Sequence, residues 1–213
     1  MLAAGLSIVL LAACSSGSSG STAHAKASSP AATASPSPAA VTLSAQSVNT
    51  ILAALPAPAT SAGLTYSPVI TQGTSALGDL GSGAWNISHR DARGDLQTWG
   101  STLYVFPSAT GAKAASLSSP APAHFCPAAR QALPGFATPG AVTVAVVCES
   151  KGGPATWWTV IDQADRLTYL VLATSGSSRA DAVAIGRSAF TSLSALGRRV
   201  NVELAGAKPD AHS

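Results

Sequence analysis

Apolar positions recur at two different periods along this chain, and the changes of period mark out its elements. Over 44–55, Val48, Ile51, Leu52 and Leu55 fall three and four apart, which is the spacing of one helix face. Ser44 is placed to cap that helix, and Pro56 and Pro58 stop it. Leu64 to Thr71 reads as a short first strand, and the Gly- and Ser-rich stretch 72–82 as a loop. Trp85 to His89 and Leu96 to Phe106 then alternate as the two arms of a hairpin. The polar run Arg90 to Asp95 supplies the turn, with Gly94 free to take a positive φ. In the second arm Trp99, Ser101, Leu103 and Val105 share one face, and Thr102, Tyr104 and Phe106 share the other. Apolar residues on both faces mark a central strand.

Pro107 ends that strand, and alanines at helical spacing predict a helix over 108–118. Prolines at 120, 122, 127, 134 and 139 interrupt any period in 119–140, where only a short helix over 127–132 is expected. Three strands follow at 141–149, 155–162 and 166–174, rich in Val, Ile, Thr, Trp and Tyr. Their links, Lys151 to Pro154 and Gln163-Ala164-Asp165, are short, so the pairing is antiparallel. A last helix is predicted over 179–197, opened by Ser178 with Asp181 and closed by Gly197. Val183, Gly186, Phe190, Leu193 and Leu196 form its buried stripe. The order is α-β-β-β-α-β-β-β-α. It predicts an α+β fold, an antiparallel sheet of five to six strands with helices packed on it. The two strand triplets hint at similar halves, although no residue-level repeat is visible.

Before residue 42 neither period holds. Leu6 to Ala13 is a short apolar run ending in Leu11-Ala12-Ala13-Cys14. A bilayer span needs about 20 apolar residues, so this run fits the core of an export signal instead. The tetrad resembles the lipobox of bacterial lipoproteins. That resemblance implies cleavage before Cys14 and acylation of its thiol and freed amine with chains such as palmitate. Two or more acyl chains hold a protein on a membrane stably. No Lys or Arg precedes the apolar core, although export signals start with positive charge. The natural start is therefore expected upstream of Met1. From Ser15 to Ala40 the chain is almost wholly Ser, Ala, Gly, Thr and Pro, which cannot bury a core. As a flexible coil it would hold the domain about 25–30 Å from its anchor. The expected organisation is a signal peptide over 1–13, a lipidated cysteine and tether over 14–41, one globular domain over 42–200, and a disordered tail over 201–213.

Charge excludes one class of partner. Twelve Lys and Arg face nine Asp and Glu, a formal +3, and the densest cationic cluster is the pair Arg198-Arg199. No nucleic-acid footprint is present. The low-charge, alanine-rich composition is that of actinobacterial proteins. Three cysteines are present, and lipidation takes Cys14. Cys126 and Cys148 are then an even set in an oxidising compartment, and a disulfide between them is expected. Chain entropy gives such a link about 3 kcal/mol. The competing arrangement is two buried free thiols; a zinc site would need a nearby His pair.

Signal, tether, and a helix followed by an antiparallel sheet look like extracytoplasmic lipoproteins of actinobacteria. The folded part resembles the extracellular sensor domain of mycobacterial receptor serine/threonine kinases. The residues that carry the resemblance are Leu103-Tyr104-Val105-Phe106-Pro107-Ser108-Ala109 at a strand-to-helix junction, Cys126 after that helix, and Cys148 at the end of a Val-rich strand. It covers roughly 42–198 and implies a ligand bound in a cleft over the sheet. That family typically has two disulfides, and this chain can make one.

Catalytic chemistry finds little to build on. There is no Gly-x-Ser-x-Gly elbow and no Ser-x-x-Lys, and only His89 and His124 of the four histidines fall in the domain. His89 with Asp91 or Asp95 could serve a serine as base, but reads better as a solvated strand-end residue. Asp91 and Asp95 in one turn, and Asp162 and Asp165 in another, read as turn residues, because Ca²⁺ wants six or more oxygens. Arg93-Gly94-Asp95 likewise reads as turn chemistry. No metal and no cofactor is expected.

The aromatics are the better candidates for a ligand surface: Trp85, Trp99, Trp157, Trp158 and Tyr169 all fall on expected strands. Trp157 and Trp158 are adjacent and must face opposite sides of the sheet. One can join the core, and an open ring on the far side could floor a site for an apolar or sugar-like ligand. Plain core packing with one partly exposed ring explains the same residues. The expectation is a non-catalytic, membrane-anchored module on the extracytoplasmic face that binds a small molecule, a lipid or an envelope protein. The alternatives are a lipid or glycolipid carrier with an apolar cavity, and a cell-envelope hydrolase.

Overall fold

A computed structural model describes residues 43–61, 63–69, 75–91, 93–127, 131–150 and 156–205. The chain divides into a unit over Met1–Ser37, outside the described residues, and a unit over Pro38–Ser213 that carries every described element. The signal peptide, Cys14 and the tether through 41 therefore lie outside the described residues.

The first half of the domain runs α1 (Ala45–Ala53), β1 (Thr65–Val69), β2 (Gly81–Arg90), β3 (Leu96–Val105) and α2 (Ala109–Leu117). The second half runs α3 (Ala121–Phe125), β4 (Gln131–Ala132), β5 (Val142–Glu149), β6 (Trp157–Asp165), β7 (Thr168–Gly176) and α4 (Arg179–Ala205). The fold is α+β. Seven strands make one antiparallel sheet in the order β1-β2-β3-β7-β6-β5-β4. Two three-stranded meanders, β1-β2-β3 and β5-β6-β7, thus meet at the centre through their last strands.

Local signals placed most elements. Ser44 caps α1 by accepting from the Ser47 N–H at 3.1 Å, and Ser108 caps α2 by accepting from the Gly111 N–H at 3.1 Å. Gly94 takes φ +86° in the β2–β3 turn. Asp91 shapes that turn, its Oδ1 accepting from the backbone N–H groups of Arg93 and Asp95 at 2.9 and 3.0 Å. At the start of α4 the Ser178 hydroxyl accepts from the Asp181 N–H at 3.1 Å, while the Asp181 carboxylate reaches back to the Ser177 N–H at 2.9 Å.

Five boundaries differ from expectation, each for a packing reason. The sheet has seven strands rather than five or six, because the two-residue β4 pairs with β5 and joins the edge. Strand β2 starts at Gly81 rather than Trp85, because α1 lies directly on its glycines. A Cβ at Gly81 would come within 2.7 Å of Asn49 Oδ1. The short helix falls at Ala121–Phe125, since Pro120 and Pro122 open it instead of blocking it; of the expected 127–132, residues 128–130 lie outside the described residues and Gln131–Ala132 are β4. The β6–β7 turn is Arg166-Leu167, with Arg166 at φ +51°, so Gln163, Ala164 and Asp165 belong to β6. Helix α4 runs through Gly197 to Ala205, so 201–205 are helical rather than tail. Gly197 is there for close approach: its Cβ would meet Leu103 and Thr168 at 3.4 Å. Beyond it Val200 and Leu204 continue the buried stripe. Asn201 receives the Leu167 N–H at 3.2 Å and donates to the Asp165 carbonyl at 2.9 Å, locking the hairpin to the helix.

Helices α1 and α4 pack on one side of the sheet. There Leu103 and Val105 of β3, Ile161 of β6, and Leu170 and Leu172 of β7 meet Ile185, Phe190, Leu193, Leu196 and Val200 of α4. The loop after β4 is drawn into this core by Phe136, whose ring lies 5.6 Å from that of Phe190. Helices α2 and α3 pack on β6 and β7, against the opposite register of side chains. The Cys126–Cys148 disulfide, with a Cα–Cα distance of 5.6 Å, ties the end of α3 to β5 on that side.

Candidate functional site

The five aromatics expected at a ligand surface part company. Trp85 and Trp99 are 5% and 6% exposed in the core under α4, so neither offers a ring face to a ligand. The Trp99 indole N–H donates to the Ser175 hydroxyl at 2.8 Å, just past the point where β3 and β7 stop pairing. Trp157 and Trp158 do face opposite sides of the sheet, and both are half-buried. Trp158 lies 5.0 Å from the ring of Phe125, next to the disulfide cluster. Tyr169 is buried too, but it closes the bottom of a cavity.

That cavity, of about 350 Å³, lies between the sheet and the pair α2–α3. Its floor is the sheet itself: Tyr104 of β3, with Tyr169 and Val171 of β7. The two tyrosine rings lie 5.7 Å apart at only 19°, as cross-strand neighbours in register. Ala115 and Ser118 of α2 form one wall, and Ala121, His124 and Phe125 of α3 another. Leu77, 45% exposed, stands on the rim. The void has a simple origin in sequence. The α2 residues buried toward the sheet are Ala112, Ala115 and Ser116, too small to fill the gap that Tyr104 and Tyr169 leave. The disulfide fixes the other wall, because Cys126 directly follows Phe125.

Behind the wall sits a carboxylate. Asp162 of β6 is fully buried, and its Oδ1 accepts from the Tyr169 hydroxyl at 2.8 Å and the Ser119 hydroxyl at 3.0 Å. Its Oδ2 is buried without a hydrogen-bond partner. Burial raises the Asp162 carboxyl above the ordinary carboxylate range, against the opposing pull of those two hydroxyls. Burial also pushes the Tyr169 phenol up, and the neighbouring Asp162 charge adds to it. Both donor hydroxyls line the cavity. Their protons are committed to Asp162, so the oxygens they turn to a ligand are acceptors. Asp162 was expected in a turn. It lies in mid-strand, because the hairpin turns three residues beyond the expected end of that strand. Ser119 and Phe125 were not singled out; Tyr104 was noted only in the strand alternation and the strand-to-helix junction, and His124 only as one of two histidines in the domain. The one legible signal was the alternation that put Tyr104 opposite Trp99 and Leu103.

The catalytic alternative gains no geometry. His89 Nδ1 is buried without a partner, and both oxygens of Asp91 are engaged within their own hairpin, by Arg93, Asp95 and Gln97. Desolvation pushes the Asp91 carboxyl up, but these hydrogen bonds and the Arg93 charge together outweigh it and hold the carboxyl below its ordinary value. Among the described residues no group of three His, Cys, Asp or Glu converges as a metal site. No described helix is long and apolar enough to cross a membrane.

No family model matches the chain, and no curated protein does. One solved structure is similar, the extracellular domain of PknH from Mycobacterium tuberculosis. It has 13% identity and a TM-score of 0.44, covering 76% of this chain and 93% of that one. At that level the likeness assigns neither a family nor a ligand.

Proposed function

We propose that this protein is a lipid-anchored module on the extracytoplasmic face of the cell membrane, and that it binds a small ligand without transforming it. The observation that carries the reading is the cavity between α2, α3 and the sheet. It has an aromatic floor, mostly apolar walls and a few polar groups on one side, which is the usual make-up of a small-molecule site. Its volume of about 350 Å³ stands at the small end of such sites. A cavity of about 150 Å³ holds one benzene ring. Two rings with a short arm therefore fit here, and a two-chain lipid does not, which disfavours the lipid-carrier alternative. The anchor rests on Leu11-Ala12-Ala13-Cys14 and the tether after it. The Cys126–Cys148 disulfide supports the oxidising compartment that this anchor implies.

Mass spectrometry of the protein extracted from membranes tests both parts. The expected result is an acylated N-terminal cysteine that Cys14→Ser loses, together with release of that variant from the membrane. A small molecule is expected to co-purify with the native chain and to be lost from Ala115→Phe, whose ring fills the cavity. An unmodified Cys14 in a soluble interior protein would contradict the anchor; a ligand retained by Ala115→Phe would contradict the site.

A further inference from the structure

We infer that the cavity takes a compact aromatic cation: one or two rings carrying an ammonium group, packed among Tyr104, Tyr169 and Phe125 with the charge toward Ser119 and the carboxylate behind it. This rests on the reading of the cavity as the ligand site. Three separate features point the same way.

The first is size and shape. The two phenol rings stack on each other at the floor, and the volume suits a compact body of about two rings. The second is the choice of side chains around it. Tyr104, Tyr169 and Phe125 present three aromatic groups to one small space, and an aromatic face attracts a cation through its quadrupole. No Lys or Arg stands among the described lining residues, and His124 is the one basic side chain in the lining. The third is hydrogen-bond polarity. Ser119 and Tyr169 both donate to Asp162 Oδ1; Ser119 Oγ also accepts from the Ala121 N–H at 3.3 Å, which leaves it one lone pair, and Tyr169 its acceptor capacity, with a negative group directly behind. A ligand that accepts hydrogen bonds, or carries negative charge, would meet lone pairs. An N–H donor or an ammonium would complete the network.

The test uses three probes with one ring system and three charges: tryptamine, indole and indole-3-acetate. Each is titrated calorimetrically into the full chain in detergent. Tryptamine is expected to bind about tenfold more tightly than indole, and indole-3-acetate more weakly than either. Asp162→Asn should bring tryptamine to within about threefold of indole while leaving indole itself unchanged. Ser119→Ala, a milder change at the same network, should remove part of the preference and covers the case in which Asp162→Asn fails to fold. Tyr104→Leu should weaken tryptamine and indole together. Equal binding of all three probes, or a preference for the acid, would overturn the cation inference and leave the cavity as a ligand site. Failure of all three to bind a folded chain would overturn both.

Discussion

The two sides of this sheet are packed on different plans. On one, the 27-residue α4 presents Ile185, Phe190, Leu193, Leu196, Val200 and Leu204 to the strands. Small residues are kept there for close approach, at Gly186 and Gly197. On the other, the nine-residue α2 presents alanines and a serine, and the five-residue α3 hangs from a disulfide. Bulky side chains on a long helix give a solid core. Small side chains on short helices over two tyrosines give a hollow one. One face is a continuous core under a long helix, and the other encloses a cavity whose wall is pinned by the disulfide.

Perturbations on the two sides should therefore differ in kind. The largest effect is expected at Leu193, 1% exposed under α4. Leu193→Ala should cost about 2–5 kcal/mol in denaturant unfolding. The matching truncation at the cavity floor, Val171→Ala, should cost less than half as much, because Val171 already borders empty space. Equal costs would break the comparison. Next is the disulfide. Replacing Cys126 and Cys148 together by serine opens a link of sequence separation 22 and should cost about 3 kcal/mol. Hydrogen exchange in that variant should accelerate in α3 well before α4.

Added volume should discriminate more finely. Gly186→Ala places a Cβ 2.6 Å from Thr159 Cγ2, so it should destabilise by about 1–3 kcal/mol. Ala115→Phe adds far more atoms but grows into the cavity, and its unfolding free energy should change by less than about 1 kcal/mol. The smallest effect concerns pH. Burial raises the Asp162 carboxyl above its ordinary value of 3.8, so folding favours the protonated form. That contribution is complete below 3.8 and is lost as pH rises through the raised value in the fold. The native chain should lose stability relative to Asp162→Asn over that rise, read as diverging urea midpoints. A constant difference, or one that closes with rising pH, would contradict the burial.

Much of the solid side was legible in sequence, because it is built from strong periods. The 3/4 stripe of α4, the alternation in β3 and the caps Ser44 and Ser178 each rest on a local rule. The hollow side was hidden by residues whose local meaning is ambiguous. Pro120 and Pro122 read as breaks yet open α3. The solid side has its own ambiguous residues: Gly81 reads as loop and Gly197 as a stop, while both mark where a helix touches a strand. Asp162 looked like a turn acid because the true turn, Arg166-Leu167, carries no Gly, Pro or Asn. The alanines of α2 were plain to see, but their partners are not. That they face Tyr104 and Tyr169, and so leave a space, follows from strand register across β3 and β7, which no single segment encodes.

Methyl NMR of the full chain titrated with tryptamine puts the contrast between the faces to the most direct test. Shifts are expected at Ala115, Ala121 and Val171, with Leu193, Leu196 and Val200 unmoved, and with no response at all in Ala115→Phe. Shifts centred on the α4 methyls, or a native-like response from Ala115→Phe, would contradict it.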